Sequence, residues 1–359
     1  MPDWWTVCFP HSPPHQVQIP MQAHVDRYAP FGLVRDMLAT PDVIRRFDVR
    51  QMADTAQEIA RVGKLLLTGE GSSRIFPAKS AMAYARRQRW PLAMQTEAGR
   101  QACEYSLKDW AVFALSNSGR TAEVIRLFHE LQAAGHTARY SLTAFAGSKL
   151  ESLSAKGYTL SCGPEGAVAA TKSVMEQALF YRALLEAVAG VSTLESRLGS
   201  LADAVHAALT TCVPTEVVDR IAQAGTIYWA GRNEGVAEEL TLKTNEITRK
   251  PADYLEGTYA VHGIEEVMHA RDVLLWIDPY AESEQKFAEV LEKGVGMTIV
   301  AIASRPTQFP TILIPDAGDL NPFVQMAGGW NVLVDVGIEL GIDLDKPQRA
   351  RKVGNEFVG

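Results

Sequence analysis

Short apolar runs alternate along this chain with longer stretches whose apolar residues recur every three to four positions. Residues 31–62 read as helices leading into a first α/β unit. Buried strands are then expected at 64–68, 92–96, 110–115, 137–143 and 157–161, with helical patterns between most of them. That alternation is the signature of βαβ crossovers on a parallel sheet covered by helices. Residues 171–189 are strongly helical, 194–209 continue the pattern, and Pro214 marks the start of a second unit. A second strand series appears at 226–230, 273–278, 297–303 and 311–314. The repeated order predicts an α/β protein of two domains, at 31–205 and 206–345, between an N-terminal arm at 1–30 and a tail at 346–359. No fixed period of 20–50 residues runs through the chain, so the repeat is a duplication in outline and not a solenoid.

Two strand-to-loop junctions carry candidate chemistry. Ser116-Asn117-Ser118-Gly119-Arg120-Thr121 follows an apolar strand and precedes a helical pattern from Glu123 to Ala133. Three hydroxyls, a permissive glycine and a helix N-terminus make a phosphate cradle. The same residues would also serve an ordinary capped βα turn. Gly69-Glu70-Gly71-Ser72-Ser73-Arg74 repeats the arrangement at the end of the first strand. Open parallel sheets bind ligands outside the carboxyl ends of their strands, near the point where strand order reverses. The G-x-G-x-x-G dinucleotide spacing is missing, because Ile75 and Phe76 stand around the place of its third glycine. A small phosphorylated ligand is the reading that remains. Gly231-Arg232-Asn233-Glu234-Gly235 ends the first strand of the second series in a similar way.

Composition narrows the classes. With 359 residues and 47% apolar content, the chain is long enough for two hydrophobic cores. The net charge of −7 argues against nucleic acid or an anionic membrane surface as partner. No apolar stretch is long enough for a membrane span. Cys8, Cys103, Cys162 and Cys212 are widely spaced and read as isolated thiols of a reducing compartment, so a cytoplasmic location is expected. Trp4, Trp5, Val7 and Phe9 lie among the prolines of the N-terminal arm, which is expected to pack on the body or on a partner subunit. No cofactor or metal is expected, since His11, His15, His24, His262 and His269 form no ligand spacing with other donors.

Glu239, Lys243 and Glu246 fall three to four residues apart on a helical stretch and share one face. A solvated salt-bridge face would have the same spacing. His262 stands sixteen residues after Glu246, and Pro347-Gln348-Arg349-Ala350-Arg351-Lys352 forms a basic segment near the C-terminus. With these segments placed, the chain resembles the sugar isomerase (SIS) family in its tandem two-domain form. That family includes the isomerase half of glucosamine-6-phosphate synthase, sugar-phosphate deaminase/isomerases and fructosamine-6-phosphate deglycases. The resemblance covers roughly residues 30–353.

The resemblance implies two SIS-type doubly wound domains. It implies that Ser116, Asn117, Ser118 and Thr121 hold a sugar phosphate, with Gly71, Ser72 and Ser73 lining the same cleft. Val168-Ala169-Ala170-Thr171-Lys172-Ser173 looks like the family's V-A-S-T-K-A segment, with Ala170 in place of a ligand-facing serine. Glu246 matches the catalytic glutamate, Lys243 a cleft lysine, Glu239 an acid one turn earlier, His262 the catalytic histidine and Lys352 the active-site lysine. Val261-His262-Gly263-Ile264 departs from the family's usual neighbours of that histidine, and Glu256 and Tyr259 sit in a changed loop.

The residue types suit proton transfer at a sugar carbon. A carboxylate within about 3 Å of an acidic C–H beside a carbonyl or imine can move that proton between C1 and C2. Glu246 is the natural base, a histidine can shuttle a proton during ring opening, and Lys243 or Lys352 can stabilise the developing enolate. The expected substrate is an amino- or N-substituted hexose 6-phosphate, to be deaminated, deglycated or isomerised. Plain aldose–ketose isomerisation and a non-catalytic sugar-phosphate-binding regulator are the alternatives. A homodimer or higher oligomer is expected, with His262 serving an active site shared between subunits.

Overall fold

The computed structural model describes residues 20–351 and 355–357. Trp4, Trp5, Val7 and Phe9 of the N-terminal arm and Lys352 therefore lie outside the described residues. The first half forms a parallel five-stranded sheet from β1 (Lys64–Gly69), β2 (Ala93–Ala98), β3 (Ala111–Ser116), β4 (Arg139–Thr143) and β5 (Lys156–Thr159), in the order β2-β1-β3-β4-β5. The second half repeats it with β6 (Ile227–Gly231), β7 (Ala252–Glu256), β8 (Val273–Ile277), β9 (Thr298–Ala303) and β10 (Thr311–Leu313). Its order β10-β9-β8-β6-β7, also all parallel, is the first order read from the other edge.

In each sheet the order reverses beside the first strand, so the loops after β1 and β3 flank a crevice at the carboxyl end of the first sheet. Those are the two loops singled out by their serines. Four strands of the second sheet fall where apolar runs predict them; β7 does not. It is an edge strand carrying Asp253 and Glu256, with Leu255 as its one fully buried side chain, so it lacks the apolar run that marks a central strand.

The halves do not keep separate cores. One continuous apolar cluster joins the inner faces of both sheets, from Leu65, Leu67 and Phe113 to Trp229, Leu275 and Ile302, with smaller clusters on the outer faces. The helices Lys172–Val188 and Asn321–Glu339 are buried almost all round, which is how a helix between two layers differs from a surface helix. Each fully buried Val, Leu, Ile or Phe contributes about 1.5–3 kcal/mol, so a shared core couples the stability of the two sheets. No helix among the described residues is long and apolar enough to cross a membrane.

The Gly231–Gly235 loop shows why similar sequences at the two strand ends do different work. Gly235 has φ +87°, and a Cβ there would lie 2.7 Å from the Ile75 carbonyl oxygen and the Phe76 Cα. Glu234 pairs with Arg87, and Glu238 with Lys79, which also donates to Asn233 at 3.0 Å. The helix Ile75–Arg87 of the first half thus packs into the second half's loop. A further tie buries Arg182 between Glu186, at 3.0 Å, and Asp319, with the guanidinium 3.1 Å from the Tyr84 ring centre.

Candidate active site

The hydroxyls after β3 are not used as a helix cap. Thr121 stands at the N-cap of the helix Ala122–Ala133 but makes no side-chain capping bond; its Oγ1 lies 2.8 Å from Ser116 Oγ. Gly119 turns the loop with φ +64°, and a Cβ there would lie 2.4 Å from the Ser148 Cβ, so the turn is closed to larger residues. The Gly119 N–H donates to Ser116 Oγ at 3.1 Å, and the Arg120 N–H to Ser118 Oγ at 3.1 Å. The Ala122 N–H is not free for an anion: it donates at 3.0 Å to the Asn355 carbonyl. The chain's last described residues pair with this loop, through Phe357 N–H to Arg120 O at 2.9 Å and an Arg120–Glu356 ion pair at 3.1 Å. The loop therefore offers the Ser116 and Thr121 hydroxyls, while the Gly119, Arg120 and Ala122 N–H groups are already engaged.

Asn117 anchors the loop sideways. Its Nδ2 donates to Glu165 at 3.3 Å, and its carbonyl accepts from Ala144 N–H at 2.9 Å. Glu165 also accepts from the Thr171 N–H at 2.7 Å and the Ser173 hydroxyl at 3.0 Å, so a carboxylate, and not the Thr171 hydroxyl, caps the helix Lys172–Val188. Val168 and Ala170 lie just before that helix, with the Val168 N–H 3.4 Å from the Asp345 carbonyl. Lys172 turns away, into a 2.9 Å pair with Asp36.

The loop Gly71–Ser73 packs against both the Lys172–Val188 helix and the helix Val236–Thr248, which carries Glu239, Lys243 and Glu246. That helix face is not solvated: Glu239 and Lys243 are fully buried, and Glu246 is about a third exposed. Lys243 Nζ donates to Ser72 Oγ at 2.8 Å and to Glu246 Oε2 at 2.7 Å, and lies 3.3 Å from Glu239 Oε1. Burial alone would lower the Lys243 pKa, but the charges of Glu246 and Glu239 outweigh it and raise the value, with Glu165 adding to the effect. Burial pushes Glu239 the other way, up to about 7, against the attraction of Lys243. The asymmetry has a physical source: the ammonium faces two carboxylates, whereas Glu239 has one cation and a second carboxylate nearby.

His262 lies apart from this group. It is exposed on the loop after β7, its Nε2 is 3.3 Å from Thr258 Oγ1, and it makes no hydrogen bond or ion pair with Glu246. Tyr259 and Val267 stand exposed on the same loop. Gln177 reaches the Ser73 loop and was not among the residues expected from sequence. Fully buried on the Lys172–Val188 helix, it points its Nε2 at Ser73 Oγ, 3.5 Å away. Its signal is polarity at Ser173 and Gln177, four apart on a helix otherwise rich in apolar residues. Among the described residues no three His, Cys, Asp or Glu side chains gather where they could hold a metal ion.

Residues 58–187, which hold the first sheet and its crevice, match the family described as SIS domain. Over 272 residues it is 26% identical to the glutamine–fructose-6-phosphate aminotransferase (isomerizing) of Aeropyrum pernix, a match covering 67% of this chain and 42% of that protein. The chain thus spans less than half of that relative. Its fold is similar to the C-terminal domain of glucosamine-fructose-6-phosphate aminotransferase from Francisella tularensis, with TM-score 0.73 and 15% identity over 88% of this chain and 98% of that one. It is also similar to glucosamine-6-phosphate deaminase from Thermotoga maritima, with TM-score 0.71 and 17% identity over 90% and 99% of the two chains.

Proposed function

We propose that the chain is an enzyme acting on amino- or N-substituted hexose 6-phosphates through proton transfer between C1 and C2. The observation that carries this reading is the contact of Lys243 with both Ser72 and Glu246, which ties a hydroxyl-lined anion cradle to a carboxylate at the crevice. In this scheme Ser116, Ser118, Thr121 and Ser73 hold the phosphate, and Glu246 takes a proton from one of the two carbons and returns it to the other. The Lys243 ammonium faces the charge that develops on the enolate oxygen or its nitrogen counterpart. Moving the proton leaves the nitrogen-bearing carbon as an imine, which water hydrolyses to a carbonyl and a free amine. Phosphosugars without nitrogen would undergo the proton transfer alone, as isomerisation.

His262 is assigned to the site of a second copy of the chain. Its exposure, and the exposed Tyr259 and Val267 beside it, support a loop that is covered on assembly. A panel of hexose 6-phosphates, 2-amino-2-deoxyhexose 6-phosphates and N-substituted fructosamine 6-phosphates tests the reading, with separate detection of released amine and of ketose or aldose product. Amine release from a nitrogen-bearing member is the expected result. Binding without turnover across the panel would overturn the enzymatic reading in favour of a sugar-phosphate-binding regulator.

A further inference from the structure

A serine hydroxyl has one proton to give and two lone pairs to receive, so what the protein already donates to it decides what it can offer a ligand. Around the first crevice the donations run one way. Ser118 Oγ accepts from the Arg120 N–H at 3.1 Å, and Ser73 Oγ accepts from Gln177 Nε2 at 3.5 Å. Ser116 Oγ accepts from the Gly119 N–H at 3.1 Å and shares one further bond with Thr121, leaving that pair a spare proton. Gln177 is fully buried, and its Oε1 has no hydrogen-bond partner among the described residues. For packing alone a Met or Leu would fill the position without burying a half-satisfied carboxamide.

We infer that Gln177 is a positioning residue of the anion site: by donating to Ser73 Oγ it commits the Ser73 proton to the ligand and makes this hydroxyl a hydrogen-bond donor to phosphoryl oxygen. The inference rests on the reading of the crevice as a phosphate site. Together with the N–H groups behind Ser116 and Ser118, it would favour an acceptor-only group such as phosphate over ligands that must donate.

Calorimetric titration with inorganic phosphate tests the inference on the wild type and on Gln177→Met, Ser73→Ala and the double variant. Gln177→Met keeps the volume and removes the donor, and it should weaken phosphate binding about tenfold, with a loss of similar size for Ser73→Ala. The double variant should be no weaker than Ser73→Ala, because Gln177 acts through that hydroxyl. Gln177→Asn, which withdraws the amide by one methylene, should show the same loss and serves if the methionine variant does not fold. Losses that multiply in the double variant, or an affinity within about twofold of wild type in both Gln177 variants, would overturn the inference. If those variants bind normally while Ser116→Ala/Thr121→Ala does not, the phosphate site stands and Gln177 has no part in it. A wild-type chain with no measurable phosphate binding would remove the site itself, and this inference with it.

Discussion

Lys243 Nζ lies 2.8 Å from the Ser72 hydroxyl, although 171 positions separate the two residues in the chain. The contact joins the loop at the end of β1 to a helix of the second half, and the same ammonium holds Glu246 at 2.7 Å. The candidate ligand loop and the candidate base are thus fixed relative to each other by one buried cation. Removing that cation should disturb both.

Lys243→Met should destabilise the protein by about 3–5 kcal/mol, the usual cost of removing one partner from a buried ion pair. The loss should be greater at pH 8 than at pH 5, where the buried Glu239 is protonated and needs no counter-charge. Urea unfolding at the two pH values measures it, and an effect independent of pH would speak against the pairing.

Glu239 gives a second pH prediction. Its folded-state pKa of about 7 lies above the unfolded value of 4.5, so the carboxyl's contribution to stability is fully present below pH 4.5 and is lost as pH rises through 7. Glu239→Gln removes that titration. The variant should match wild type near pH 4 and gain on it up to about pH 7, by a difference on the order of 3 kcal/mol. A stability gap that shrinks as pH rises would contradict the sign.

Replacing Ser116 and Thr121 together with Ala should weaken binding of a hexose 6-phosphate while the fold survives. Each lost bond to a charged group is worth about 1.5–3 kcal/mol. Unchanged affinity by calorimetry, with normal thermal unfolding, would take the phosphate away from this loop.

The assignment of His262 to a second copy is tested by mixing. Glu246→Ala and His262→Ala chains, each inactive alone, should recover part of the activity when combined under conditions that allow subunit exchange. A fully active monomer at assay concentration, or mixtures with no recovery, would place both residues in one chain's site or remove His262 from the chemistry.

Much of this architecture is legible in the sequence because buried parallel strands carry apolar runs on both faces, as in Val112-Phe113-Ala114-Leu115. β7 is not, because Asp253 and Glu256 on an exposed edge break the run. The 3.6-residue spacing places Glu239, Lys243 and Glu246 on one face, but burial of that face depends on the first half packing over it, which no local pattern records. Gln177 is hidden inside a helix whose apolar periodicity dominates the reading. The pairing of Asn355 and Phe357 with the loop after β3 is an isolated backbone contact between distant segments, and it has no periodic signature at all.

The central claim is that Glu246 moves a proton between C1 and C2 of a bound phosphosugar, and hydrogen exchange measures that step directly. In deuterium oxide, wild type should wash solvent deuterium into C1 or C2 of a substrate selected from the panel, observed by proton NMR. Glu246→Gln should retain phosphate binding and lose the exchange by about 10²- to 10⁴-fold, the range contributed by a positioned general base. Near-normal exchange by the glutamine variant would contradict the account.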